Sequence, residues 1–370
     1  MKILIPTEYY PPFVRGGGEI STKILAEELA KKHDVTVLTP NYFSRSEELK
    51  GKENGVKINR FRFISHAPTK SGAKKRSFFN LFHSLYIKHS AKIFKNQIEK
   101  YVKKKKVDII HAQNLESILG LADAKIDAKK IAYIRDLRII EKRDHRNKLK
   151  KFDLIFVNSK FIEKECKKKK IKTKVLYNPI DKKIISKLTK KQAKEKFLTT
   201  TKKIILFVGG LEKKKGAHLI PEIARENPEY NFFVIGKGSL EYDKDFIKNR
   251  PGNMNPFFFI PYEELADYYR AADILIVPSL WQEPFGRVVI EAYANATPVI
   301  ATNIGGLPEI VDKHTGFLIS PKEVEKEITR IIKRLNDKQI KMLSRNAYKK
   351  SKQFTATKIV KDLLKEYRKL

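Results

Sequence analysis

Through the first half of the chain, short apolar runs rich in β-branched and aromatic residues alternate with longer stretches whose apolar positions recur every three or four residues. The first pattern suits strands and the second amphipathic helices, and their alternation argues for a parallel sheet with helices on both faces. Strands are predicted at residues 2–6, 35–39, 56–64, 107–111, 130–134, 153–157 and 174–177. Residues 19–32 predict a helix, because Ile20, Ile24, Leu25, Ala26 and Leu29 share one of its faces. This half reads as one Rossmann-like domain. After Tyr177-Asn178-Pro179-Ile180-Asp181, a turn signal and a plausible hinge, the pattern restarts. Strands are predicted at 204–208, 231–235, 257–260, 273–277, 298–301 and 316–319, with helical stretches between them, which makes a second α/β domain.

The boundaries expected from these patterns are 1–180 and 181–356, followed by a helix over 357–370 that carries Ile359, Val360, Leu363, Leu364 and Tyr367 at helical spacing. A length of 370 residues suits two such domains. No apolar run of about 18 residues is present to span a bilayer, and the opening Met1-Lys2-Ile3-Leu4-Ile5-Pro6 reads as a first strand and not a signal peptide. A cytoplasmic location is expected. The single cysteine, Cys166, excludes an internal disulfide, and the eight histidines show no metal-binding spacing, so no metal is expected.

Charge changes the picture. The formal net charge is +36, and residues 1–180 hold 42 Lys and Arg against 19 Asp and Glu. Residues 50–106 hold 17 basic and 2 acidic groups. Such a field favours anionic partners, among them nucleic acid, anionic lipid headgroups and phosphorylated substrates, while lysine enrichment with most side chains merely solvated explains it equally well.

The chemistry is concentrated in Val277-Pro278-Ser279-Leu280-Trp281-Gln282-Glu283-Pro284-Phe285-Gly286-Arg287-Val288-Val289-Ile290-Glu291-Ala292. An apolar strand runs into a loop bearing Glu283, and a helix starting at Gly286 carries Glu291 about one turn in. Carboxylates accept from vicinal hydroxyls, and free N–H groups at a helix start face hydroxyls or phosphate. A strand followed by a helix with two surface glutamates is the plainer reading of the same residues. The spacing of Glu283 and Glu291, with Pro284-Phe285-Gly286 after the first, resembles the signature of family 4 retaining glycosyltransferases, and the resemblance covers nearly the entire chain.

That resemblance implies the GT-B architecture: two Rossmann-like parallel-sheet domains facing a cleft, with a final helix that crosses back to the first. It implies a metal-independent, retaining transfer of a sugar from a UDP- or GDP-sugar, with no cofactor, to a glycan, glycolipid or lipid-linked acceptor. Catalysis is assigned to Glu283, Lys215, Arg135 and Asp136. Donor binding is assigned to Gly16, Gly17, Gly18, Gly210, Lys215, Gly236, Gly238, Glu283, Pro284, Phe285, Gly286, Arg287 and Glu291. Lys215 matches the lysine of the family's Gly-Arg-Leu, three residues, Lys-Gly element, but Gly210 stands where the arginine belongs; Arg287, Lys213 or Lys214 are candidates to replace it. Arg135-Asp136 stands where many members carry His-Asp, and Arg135 stays protonated, so it pairs with phosphate or Asp136 and does not act as a base. His111, Asn158 and Ser159 fall at strand ends that face the expected cleft, and Gly305, Gly306 and Glu309 match a further, mainly structural, family segment.

Asp243-Lys244-Asp245 has the spelling of a metal-binding Asp-x-Asp element but sits in a polar stretch after Gly238 and is discounted. Phe78, Phe82 and Leu85 share a helical face, with Phe79 and Tyr86 beside it and Lys74, Lys75 and Arg76 before it. That segment suits contact with an anionic membrane, on the inner face of which the protein would be peripheral, or a core-facing helix after a basic loop. The competing functions are a sugar-nucleotide 2-epimerase, for which no acid/base pair is evident, and a nucleic-acid-binding protein, for which no reading motif is evident; specific nucleic acid is not expected.

Overall fold

The computed structural model describes the chain except residues 15, 43–49, 64–75, 200–201, 240–245 and 259, and the side chains of residue 50 and of 76–82 also fall outside the description. It divides into two compact units, Met1–Pro179 with Ile359–Leu370, and Ile180–Lys358.

The first unit holds an eight-stranded sheet of β1 (Lys2–Pro6), β2 (Asp34–Asn41), β3 (Lys50–Glu53), β4 (Val56–Arg62), β5 (Ile109–Ala112), β6 (Lys129–Ile134), β7 (Leu154–Val157) and β8 (Lys174–Val175), in the order β3-β4-β2-β1-β5-β6-β7-β8. All neighbours are parallel except the β3–β4 hairpin. Its central strands are apolar on both faces because both are covered. The helix Gly17–Ala30 and the C-terminal helix Ala356–Tyr367 bury Leu25, Leu29, Ile359, Val360, Leu363 and Tyr367 on one side. On the other, the helix Arg76–Lys104 contributes Ile87, Phe94 and Ile98, and the helix Lys160–Lys168 contributes Ile162 and Cys166.

The second unit holds a six-stranded, all-parallel sheet of β9 (Ile204–Val208), β10 (Asn231–Ile235), β11 (Met254–Phe257), β12 (Ile274–Val277), β13 (Val299–Thr302) and β14 (Gly316–Ile319), in the order β11-β10-β9-β12-β13-β14. In both sheets the chain first builds outward to one side and then reverses, so the reversal falls between β1 and β5 and between β9 and β12. In a parallel sheet the crevice at such a reversal, at the carboxyl ends of the strands, is where ligands bind.

Several elements depart from the sequence pattern. The strand predicted at 56–64 ends at Arg62, and the strand predicted at 257–260 lies at Met254–Phe257. The Phe257-Phe258-Phe259 run drew that prediction, whereas the actual strand includes Pro256, which an edge strand tolerates because its outer side needs no ladder hydrogen bond. The hairpin strand β3 has no apolar alternation, and only its Asn54-Gly55 turn, with φ of 47° and 85°, signals it. Asp243, Lys244 and Asp245 lie outside the described residues. Among the described residues no helix is long and apolar enough to cross a membrane.

Candidate active site

In the second unit the site is built at the β9/β12 reversal. Strand β9 runs into Gly209-Gly210, then a single 3-10 turn, Lys213–Lys215, ended by Gly216 at φ 74°. A Cβ at Gly216 would lie 2.0 Å from the Pro278 carbonyl oxygen, so only glycine lets this turn press against the segment after β12. The Leu280 N–H donates to the Lys214 carbonyl at 2.8 Å and ties the two segments together. Lys215 is thereby delivered to Glu283: its Nζ lies 2.6 Å from Oε2. The indole N–H of Trp281 donates to the same oxygen at 2.9 Å, and the Lys215 ammonium stands 5.0 Å from the Trp281 ring centre. Charge-assisted bonds of this kind to a half-buried carboxylate are strong and directional.

The loop that carries Glu283 is clamped from behind. Gly306 N–H donates to the Glu283 carbonyl at 2.7 Å and Gly305 N–H to the Gln282 side chain at 3.0 Å. A Cβ at Gly305, whose φ is 58°, would lie 2.2 Å from that same carbonyl. The Gly305-Gly306 element is structural here, and what it shapes is the Glu283 loop. Phe285 is buried against Phe354, and Gly286, at φ 95°, begins the helix Arg287–Ala294.

Glu291 sits inside that helix and is 3% exposed. Its Oε1 accepts from Arg287 Nε at 2.7 Å and from the Tyr262 hydroxyl at 3.0 Å, and its Oε2 from the Tyr269 hydroxyl at 3.0 Å. Burial, and then the charge of Glu291, raise both tyrosines well above the usual phenol range, which keeps them neutral donors. Arg287 also donates to the Tyr262 oxygen at 2.7 Å. Its guanidinium is thus held in this network. Lys214 is paired with Glu212, at 2.6 Å, and stands 5.5 Å from the Trp281 ring centre. Gly236 and Gly238 follow β10, where Gly209 and Leu211 donate to the carbonyls of Ile235 and Lys237.

In the first unit the helix Gly17–Ala30 opens after Gly16, whose N–H donates to Glu19 Oε2 at 2.9 Å. Gly18 lies beside Arg135, whose Cδ would be 3.7 Å from an added Cβ. Arg135 lies over the Tyr133 ring, 4.1 Å from its centre, and donates to the Gln113 carbonyl at 3.2 Å. Asp136 is gripped by Arg138, at 2.8 Å and 3.1 Å, so Arg138 is its observed partner. A small open pocket lies here, lined by Gln113, Asn114, Tyr133, Arg135, Asp136 and Ile139 among others.

Three first-unit residues have structural work. His111 is buried between Tyr133 and Phe156, its Nδ1 2.7 Å from the Tyr367 hydroxyl, so it lines no open site. Burial, aided by the Arg135 charge, pushes its pKa down to about 3. Ser159 caps the helix Lys160–Lys168 through the Ile162 N–H at 3.1 Å, and Asn158 donates to the Arg135 carbonyl at 3.3 Å. The roles of Trp281, Tyr262, Tyr269 and Arg138 escaped sequence reasoning. Trp281 stood inside the quoted motif, while the tyrosines lie 29 and 22 residues before Glu291, where no spacing rule points to them.

Comparison with other proteins fits this geometry. Residues 15–183 match the family model for Glycosyltransferase Family 4, and residues 189–353 match that for Glycosyl transferases group 1. An uncharacterized glycosyltransferase of Methanocaldococcus jannaschii is 27% identical over 389 residues, covering 100% of this chain and 99% of its own. The spore coat protein SA of Bacillus subtilis is 27% identical, over 91% of this chain and 89% of its own. Among solved structures, a sucrose-phosphate synthase from Thermosynechococcus elongatus superposes with a TM-score of 0.79 at 20% identity, over 100% of this chain and 99% of its own. Anabaena HepE in complex with UDP gives 0.77 at 19% identity, over all of both chains. With two family models that between them span both units, and that fold, the chain belongs to the family 4, group 1 glycosyltransferases and is a transferase of GT-B type.

Proposed function

We propose that this enzyme moves a sugar from a nucleotide-sugar, UDP- or GDP-linked, to a glycan, glycolipid or lipid-linked acceptor, with retention of configuration and without a metal. The observation that carries the reading is the Lys215–Glu283–Trp281 cluster at the β9/β12 reversal. A cation and a carboxylate held together there suit a ligand that is anionic at its diphosphate and rich in hydroxyls at its sugar. In the second unit Lys215, with backbone N–H groups of Phe285 and Gly286, is assigned to the departing diphosphate, and in the first unit the Gly16–Gly18 helix start offers N–H groups suited to phosphate. Glu283 binds sugar hydroxyls, Glu291 the ribose diol, and Gly210, Gly236 and Gly238 bring bare backbone close to the nucleotide. Pro284 and Arg287 hold the two carboxylates in place.

In same-face transfer the departing phosphate takes the acceptor proton, so no protein base is required. Arg135 and Asp136 flank the first-unit pocket and are assigned to the reaction centre, where Arg135 stabilises negative charge. The first unit takes the acceptor and the second the donor. That the solved HepE structures hold UDP, and UDP-glucose in one case, supports a uridine nucleotide as the donor to try first. Membrane contact through the helix Arg76–Lys104 belongs to the same proposal: its Leu85 is 53% exposed on the side away from Phe94, while Phe78, Phe79 and Phe82 lie outside the described side chains.

Ligand-detected NMR with UDP-, GDP- and ADP-sugars tests the donor reading without needing an acceptor. Binding of one nucleotide-sugar is expected, and silence across the panel would overturn it.

A further inference from the structure

The first unit's sheet reverses between β1 and β5, and the crevice there belongs to the segments that follow those two strands. Glu8 follows β1, and Glu116 lies in the first turn of the helix Leu115–Asp123 that follows β5. Glu8 is 6% exposed. Its Oε1 accepts from the Ser117 N–H at 2.7 Å, one of the donors that a helix start leaves free. Its Oε2 is buried too and meets no donor among the described residues. Capping the helix needs only the first oxygen, so the second, costly to bury, has no structural reason of its own.

Glu116 stands against it. Burial first, then the charge of Glu116 and a hydrogen bond to it, raise the Glu8 carboxyl well above the usual carboxylate range. Two carboxyls bond to each other only with a proton between them, so the pair is one acid and one carboxylate. Arg138 is held by Asp136 at 2.8 Å and 3.1 Å; beyond that bond, the charges of Glu116 and Glu8 also raise it, so a cation lies within range of the pair. The same helix start lines the pocket, to which Asn114, Leu115 and Ile118 contribute beside Arg135 and Asp136. Glu116 is only half-buried, which leaves it within reach of a ligand. An acid O–H donates, a carboxylate accepts, and a sugar hydroxyl does both. A phosphate dianion only accepts, and the carboxylate repels it.

On the reading that the first unit takes the acceptor, we propose that Glu8 and Glu116 form a hydroxyl-binding pair for the acceptor's sugar ring. One hydroxyl of the ring accepts from the Glu8 acid and donates to the Glu116 carboxylate, so two bonds to the ligand replace the one between the carboxyls. No proton leaves the pair. The net charge of +36 favours anionic ligands in general, and this crevice is a local exception that favours an uncharged polyol.

Saturation-transfer NMR with the methyl glycosides of glucose, galactose, mannose and N-acetylglucosamine tests this on the full chain. Binding of at least one glycoside is expected. Glu116→Ala is expected to weaken it about tenfold or more, the worth of a hydrogen bond to a charged group. If Glu8 served only to cap the helix, Glu116→Ala would bind as wild type. Glu8→Gln keeps an acceptor for the Ser117 N–H and a donor in place of the acid O–H, so it is expected to bind within about threefold of wild type. Melting curves of both variants show whether the fold is intact. Silence for every glycoside, wild-type affinity in Glu116→Ala, or binding lost in Glu8→Gln with unchanged melting would overturn the inference. Nucleotide-sugar binding, measured on the same samples, separates two failures: silence there strikes the proposed transfer, whereas failure confined to the glycosides strikes only this pair.

Discussion

Glu283 Oε2 receives both the Lys215 ammonium and the Trp281 indole N–H, so one side chain couples the cation expected to meet phosphate with the carboxylate expected to meet sugar. Lys215→Ala and Glu283→Gln are each predicted to lower transfer at least tenfold, about 1.4 kcal/mol of transition-state stabilisation. Wild-type rates in steady-state assays of both would remove the assignment. His111 offers a separate prediction. Its folded pKa is pushed down to about 3, first by burial, while an unfolded imidazole titrates near 6.5. As pH falls the unfolded chain therefore binds the proton first. The neutral ring's contribution to stability is complete above about pH 6.5 and is lost on the way down to 3. The stability advantage of wild type over His111→Gln in urea titrations is predicted to be larger near neutral pH than near pH 5. An advantage that does not change with pH would contradict the burial argument.

At the scale of elements, the site depends on how closely a 3-10 turn approaches the segment after a neighbouring strand. Gly216→Ala forces a Cβ towards the Pro278 carbonyl in a left-handed conformation, at a predicted cost on the order of 1–3 kcal/mol. Thermal melting measures that cost, and an unchanged melting temperature would show that the turn has room the distance denies. Much of this level was legible in the sequence. Strands β1, β9 and β10 lie where their apolar runs placed them, because central strands covered on both faces must be continuously apolar, and the edge strand β14 also lies where its run placed it. The edge strands β3 and β11 were the weak point. Neither Lys50-Gly51-Lys52-Glu53 nor the Pro256 strand needs an apolar run, since one side of each faces no neighbour. The Glu283 and Glu291 motif was legible because its residues are consecutive. The tyrosines that hold Glu291 were not, since tertiary folding alone brings them there.

For the whole molecule, the fold returns its last helix to the first unit, where Leu363 is fully buried beside Ile3, Ile5 and Tyr133 in one core. Leu363→Ala is predicted to cost about 2–5 kcal/mol. Hydrogen exchange should show the loss of protection in β1 and β5 and leave β9 and β12 unchanged; uniform loss over both sheets would contradict a core confined to the first unit. The helical spacing of 357–370 made this helix legible. The central claim, that Lys215 and Glu283 hold an activated sugar, has a built-in reporter in Trp281, the only tryptophan. Titration with the nucleotide-sugar identified by NMR is predicted to change its fluorescence saturably, with the response abolished in Lys215→Ala. Donor binding that leaves Trp281 fluorescence unchanged, and that persists at full affinity in Lys215→Ala, would place the donor elsewhere.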